Sequence, residues 1–142
     1  MNENPRHLAR VIVLKALYAT EHGDLDPIQA FDDISSEEKL SKKNLEFAKV
    51  LYESVRTSKE KADENIENLS ENWDLDRIAA VDRYILQMAI TELELFVDTP
   101  VKVVLNEAIE LAKEFSTSES SSFINGILDS FVKSTDQLST DK

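Results

Sequence analysis

The chain has 142 residues, 42% of them apolar, and carries 28 acidic against 16 basic side chains for a formal net charge of −12. That length supports one compact domain with a substantial core, while the excess of acid excludes broad, nonspecific coating of nucleic acid, because most of the surface repels phosphate. Cysteine is absent, which removes disulfides, thiolate nucleophiles and Cys-based zinc sites together.

Glycine stands only at Gly23 and Gly126 and proline only at Pro5, Pro27 and Pro100, so long stretches run without a breaker. No strand-period alternation of useful length occurs, and the spacing predicts an all-α protein. A first helix is expected from about Pro5 to Glu21, capped by Asn4, with Leu8, Val11, Ile12, Ala16 and Leu17 on one side and a stop near Gly23. A short second helix starts at Pro27 with Asp26 as its cap. In the third, from about Lys42 to Ser70, Phe47, Leu51, Val55, Ser58, Ala62, Ile66 and Leu69 draw one continuous stripe.

Beyond Trp73, read as a hinge-packing residue, Ile78, Val81, Ile85, Leu86, Met88, Ala89, Leu93 and Leu95 make a segment apolar on more than half its circumference. It is expected to be the central helix, with a break near Ala80. Asp98 or Thr99 before Pro100 marks the next start, and Val103, Val104, Ala108, Leu111 and Ala112 supply its core face as far as Phe115. Residues Ser116 to Ser122 read as a loop that caps a last helix from about Ser122 to Lys133. Residues after Ser134 read as a polar, frayed tail.

The N-terminal segment contradicts the acidity of the whole. Between Asn4 and Thr20 the charged residues are Arg6, Arg10 and Lys15, joined by His7. Arg6, His7 and Arg10 crowd the positive end of the helix dipole, and the two arginines repel each other at i,i+4. Such a cluster suits an anion, although solvated surface charges would read the same way.

Enzyme chemistry finds little support. His7 and His22 lie too far apart on one helix to share a metal without a third element. Two glycines cannot form a phosphate loop, and no Gly-x-Ser-x-Gly elbow exists. No catalytic residue, metal ligand or cofactor is assigned. With no apolar run near the ~18 residues that cross a bilayer and no signal-like leader, a cytoplasmic protein without a membrane partner is expected.

Arg6-His7-x-Ala9-Arg10 with Ala16-Leu17-Tyr18, then Trp73-x-Leu75-x-Arg77-Ile78, Val81-Asp82-Arg83-x-Ile85-Leu86 and Glu92-Leu93, resemble the NusB family of bacterial transcription antitermination factors. Asn106-Glu107-Ala108-Ile109-Glu110-Leu111-Ala112-Lys113 and Phe123-Ile124-Asn125-Gly126-Ile127-Leu128-Asp129 look like the family's signature stretches. The resemblance runs in order from about residue 5 to 131 and is weakest between His22 and Asn72.

It implies a helical bundle of about seven helices in two packed subdomains, divided near residue 72, with 1–133 forming the NusB-like domain and 134–142 the tail. It also implies binding of boxA single-stranded RNA together with NusE, a small-subunit ribosomal protein, and contact with the RNA polymerase elongation complex through other Nus factors. Arg6, His7 and Arg10 match the family's basic patch and are the expected phosphate and base contacts. Ser120, Ser122 and Phe123 match a neighbouring RNA-binding stretch, though serines in such a run usually cap a helix and a phenylalanine there usually fills a core. Tyr18 and Asp82 match the NusE-facing surface, and the net acidity would steer a basic partner.

Leu8 and the serines stand where relatives commonly carry basic residues, so greater reliance on NusE is expected. A homodimer that covers the basic patch is also open. Two further readings stay beside this one: a helical protein-binding adaptor without specific RNA binding, and an accessory module of a ribosomal RNA methyltransferase. Asn106, Glu107, Asn125 and Asp129 read as architecture tying the last two helices together, and Gly126 as a point of close helix approach.

Overall fold

A computed structural model describes residues 5–70 and 77–135. Asn4, Trp73 and the tail beyond Thr135 lie outside the described residues, and the expectations placed on them stand as stated. The described residues form helices α1 (Pro5–Leu17), α2 (Pro27–Ser36), α3 (Lys42–Thr57), α4 (Lys59–Leu69), α5 (Ala80–Leu95), α6 (Val101–Phe115) and α7 (Ser118–Ser134), with a π-helical turn at Tyr18–His22. No strand occurs among them. The chain divides into two compact units, Met1–Arg56 and Thr57–Lys142, a boundary earlier than the one expected near residue 72.

In the first unit α1 is more deeply buried than its sequence pattern suggests: Ala9, Val11, Ile12, Val13, Leu14, Ala16 and Leu17 are all covered. The regular helix expected to reach Glu21 widens after Leu17. Gly23 donates its N–H to the Tyr18 carbonyl at 3.1 Å, an i,i+5 bond. A Cβ at Gly23 would lie 2.8 Å from the Ala19 carbonyl oxygen, so this turn requires glycine. Asp24 follows in the left-handed region at φ 57, which aspartate tolerates better than most side chains.

Helix α2 starts as expected, with Asp26 accepting from the Gln29 N–H at 3.0 Å and Pro27 in the first turn. Tyr52 of α3 stacks on Phe31 of α2 at 5.2 Å between ring centroids. Its hydroxyl lies 2.6 Å from Thr20 Oγ1 and 3.0 Å from the Pro27 carbonyl oxygen, which ties the π turn, the start of α2 and α3 together.

The long third helix expected from Lys42 to Ser70 is two helices. Its stripe is real, with Phe47, Leu51, Val55, Ala62 and Ile66 buried, but Ser58 leaves helical geometry at φ −101, ψ 16. Periodicity registers burial and is blind to a one-residue interruption that keeps the phase.

In the second unit, α5 is buried at every position from Tyr84 to Leu93, and α4, α6 and α7 pack around it. The central-helix reading holds, although Leu95 at its end is exposed. Buried polar residues on α5 are met in part: Gln87 Nε2 donates to Asp63 Oδ1 of α4 at 2.7 Å while its Oε1 is buried without a partner, and Thr91 Oγ1 lies 3.4 Å from Ser58 Oγ. Helix α6 begins after Pro100, and its core face is Val104, Ala108, Leu111 and Ala112. Val103, expected in that face, is 42% exposed, since one helical step of about 100° takes it off the stripe.

Helix α7 begins at Ser118, earlier than the expected Ser122. Thr117 caps it, its Oγ1 accepting from the Ser120 N–H at 3.1 Å, and Glu119 in the first turn complements the dipole. Only Ser116 and Thr117 therefore link α6 to α7. The face of α7 that carries Asn125, Gly126 and Asp129 is exposed, opposite the buried Ile124, Ile127, Leu128 and Phe131. Asn106, Asn125 and Asp129 consequently do not tie α6 to α7. They line an open groove of 650 Å³, and Asp129 pairs with Lys133 at 2.9 Å.

Gly126 is not a close approach either, because a Cβ there would meet nothing within 4 Å. Gly126→Ala is expected to stabilise the fold by about 1 kcal/mol in urea unfolding, through better helix propensity and a less free unfolded chain.

Burial pushes the Tyr52 phenol above its usual 10.0, against the opposing effects of the Thr20 hydrogen bond and the Arg56 charge. The unfolded chain then loses this proton first as pH rises. The associated stability is complete below the unfolded value of about 10 and is lost as pH climbs through the folded pKa. Tyr52→Phe is expected to lower the urea midpoint at neutral pH and to flatten its alkaline decline.

Candidate nucleic-acid interface

The N-terminal cations are organised around one aromatic ring. The Arg6 guanidinium carbon lies 4.1 Å and that of Arg10 5.2 Å from the centroid of Phe47 on α3, so the ring's negative face offsets part of the repulsion between them. Arg6 Nε donates to Asn44 Oδ1 at 2.9 Å. Arg10 is only 3% exposed and His7 5%, whereas Arg6 is half-buried. The picture of three surface charges working against their helix is thus corrected: two of them are core residues of the first unit. Phe47 and Asn44 complete the cluster. The apolar stripe places Phe47 in the core and gives no sign that its ring carries two guanidinium groups, since that depends on where α1 lies against α3.

Tyr18 sits at the head of the π turn, 42% exposed, stacked on His22 at 4.6 Å. The widened turn presents an aromatic edge with a hydroxyl at the surface, suited to a partner that offers both apolar area and a hydrogen bond.

Asp82 lies in the first turn of α5, where its charge favours the helix dipole. It is 6% exposed, and its carboxylate is held at both oxygens: Ser116 Oγ donates to Oδ1 at 2.7 Å and Ser120 Oγ to Oδ2 at 2.6 Å. The serine-rich segment is therefore latched onto α5 and does not hang in solvent. Ser120 directs its one hydroxyl proton at Asp82, and its oxygen lies 2.9 Å from Ser116 Oγ and 3.1 Å from Thr117 Oγ1, inside the same network. Ser122 is exposed and Phe123 half-buried.

Asp82, Ser120 and Phe123 gather around a groove of 360 Å³ that also includes Ile78, Thr117 and the exposed Arg77. Arg77 is legible in the sequence only as part of the family-like stretch; the groove makes it a candidate cation beside a half-buried aromatic. Within the first unit the structure joins Arg6, His7 and Arg10, and within the second it joins Asp82, Ser120 and Phe123.

Among the described residues no cluster of three or more His, Asp or Glu could hold a metal ion, and no helix is long and apolar enough to cross a membrane.

Because Arg10 is buried on Phe47, Arg10→Ala is expected to lower unfolding free energy by roughly 1–3 kcal/mol. Arg6→Ala, half exposed, should cost less. Urea denaturation of both variants checks the order.

The NusB family model matches residues 7–133. The transcription antitermination protein NusB of Salinibacter ruber is 42% identical over 130 residues, spanning 89% of this chain and 80% of that protein. The solved T. maritima NusB structure superposes with a TM-score of 0.84 at 36% identity, covering 93% of each chain. A chain in the crystal structure of antitermination factors NusB and NusE in complex with dsRNA shares the fold, with a TM-score of 0.83 at 24% identity over 94% of this chain and all of that one. A family match across nearly the whole described chain, with curated relatives at this identity, settles the membership that the motifs implied: the chain belongs to the NusB family of transcription antitermination proteins.

Proposed function

We propose that this member of the family binds the boxA element of nascent ribosomal RNA jointly with NusE, in the cytoplasm, and helps to hold RNA polymerase in a termination-resistant state through other Nus factors. The observation that carries the RNA part is the fixing of Arg6. Its guanidinium is held over Phe47 by a hydrogen bond from Nε to Asn44, and a positioned guanidinium is the group best matched to phosphate geometry. A preset guanidinium loses less freedom on binding than a free one.

Arg6 is the direct phosphate contact in this reading, while the buried His7 and Arg10 hold the start of α1 and the Phe47 ring in place. Phe123 offers a stacking face, and Ser122 a hydroxyl donor. Tyr18 of the first unit serves the NusE contact, and in the second unit Asp82 serves it by latching the serine segment. NusE is the natural first partner to try, since NusB and NusE occur together in the dsRNA complex whose NusB-like fold this chain shares. With two of the three N-terminal cations buried, little charge remains for RNA alone, which favours dependence on the partner.

Fluorescence anisotropy of labelled boxA RNA tests this with the protein alone, with NusE alone and with both across a salt series. Tight binding by the pair only, abolished by scrambling the RNA, is the expected result. A pair that forms but ignores RNA sequence would reduce the chain to a helical adaptor.

A further inference from the structure

The π turn at Tyr18–His22 is held from three sides. Gly23 closes it with its N–H on the Tyr18 carbonyl at 3.1 Å, and Leu25 donates to the Ala19 carbonyl at 3.2 Å. Thr20 Oγ1, inside the turn, lies 2.6 Å from the Tyr52 hydroxyl of α3. Only glycine fits at position 23, where a Cβ would lie 2.8 Å from the Ala19 carbonyl oxygen. π-Helical geometry is rare, and single π turns within or at the end of an α-helix concentrate at functional sites.

The widened turn changes the relation between residues four apart. In an α-helix they are offset by about 40° around the axis, at 3.6 residues per turn. A wider turn takes up most of that offset and sets residue i+4 almost directly beyond residue i. The rings of Tyr18 and His22 use this alignment: their centroids are 4.6 Å apart and their planes 29° from parallel. Both residues are exposed, so the stack is a surface feature and not a core contact. An unusual backbone, fixed by an obligatory glycine and a tie to α3, thus yields one ordered aromatic pair facing solvent.

We infer that the π turn sets His22 behind Tyr18 as a positioning residue, holding the phenol ring in one orientation for the basic protein partner that Tyr18 meets. This rests on the NusE reading above. An exposed tyrosine loses rotamer freedom when a partner covers it, and a ring already held against the imidazole loses less. The imidazole also covers part of one ring face, which leaves the other face and the edge to the partner. His22 acts through Tyr18 and not on the partner directly.

Affinity of the full chain for NusE, measured by calorimetry without RNA, tests this in H22A, H22F and Y18A. His22→Ala is expected to weaken binding roughly three- to tenfold, the size of one aromatic pair contact, and to remove the ring-current shift of the Tyr18 ring protons in NMR spectra of the free protein. His22→Phe keeps a ring behind Tyr18 and should restore the shift, and the affinity to within about twofold of the parent. The urea midpoint should stay the same in both, because neither ring of the stack is buried.

Unchanged NusE affinity in H22A, where Y18A is weakened, overturns the positioning role and leaves the NusE reading standing. An affinity lost in H22A and not recovered in H22F also overturns it, by making the imidazole a direct contact. A lower urea midpoint in H22A does the same, by assigning the stack to the fold. A parent chain that does not bind NusE, or a Y18A variant that binds it as tightly as the parent, sinks both readings.

Discussion

The complete burial of α5 from Tyr84 to Leu93 is the constraint on which the second unit depends. A helix covered on every side must present apolar surface in every direction, and Ile85, Leu86 and Ile90 are fully enclosed. Each such side chain contributes on the order of 1.5–3 kcal/mol by leaving water. Polar groups on the same helix then depend on neighbours for partners, and although Gln87 Oε1 and Arg83 Nε find none, others do. Gln87 reaches Asp63, Thr91 lies against Ser58, and Asp82 takes both Ser116 and Ser120. Those bonds set where α4 and the start of α7 lie against α5, so the groove beside Phe123 is a consequence of how the central helix is satisfied.

The first unit solves a different problem. Its α1 carries cations into the core, which is tolerable because Phe47 offers a π face and Asn44 an acceptor. A buried arginine on an aromatic ring is a structural group as much as a binding one. Burial and function are not rivals here: the arginine that is sealed in keeps the ring in place, and the ring keeps the half-exposed Arg6 aimed. The same economy appears at Asp82, a partner-surface candidate whose carboxylate is already occupied in organising the serine segment.

Much of the architecture was legible because it rests on local rules. The Asp26 and Pro27 start, the stop around Gly23, the central position of α5 and the stripe through α3 and α4 each follow from caps, breakers and periodicity. The early start of α7 was missed because a run of serines reads as a loop until Thr117 is seen to cap it and Asp82 to hold it. Ser58 was missed because a break that keeps helical phase leaves the apolar pattern intact. Gly126 and the Asn125–Asp129 pair were misread because their residue types suggest packing, whereas only the neighbouring helix decides which face of α7 is covered.

By itself the sequence determined the helix content, most helix boundaries, the deep burial of α5, and through its motifs the family, because these depend on side-chain type and spacing along one chain. Tertiary structure decided which charges remain available. His7 and Arg10 disappear into the first unit, Arg6 is aimed by residues of α3 distant in sequence, and Ser120 is committed to Asp82. Charge is written in the sequence, but exposure and partnership are properties of how helices distant along the chain come to lie together, and no local rule reports them.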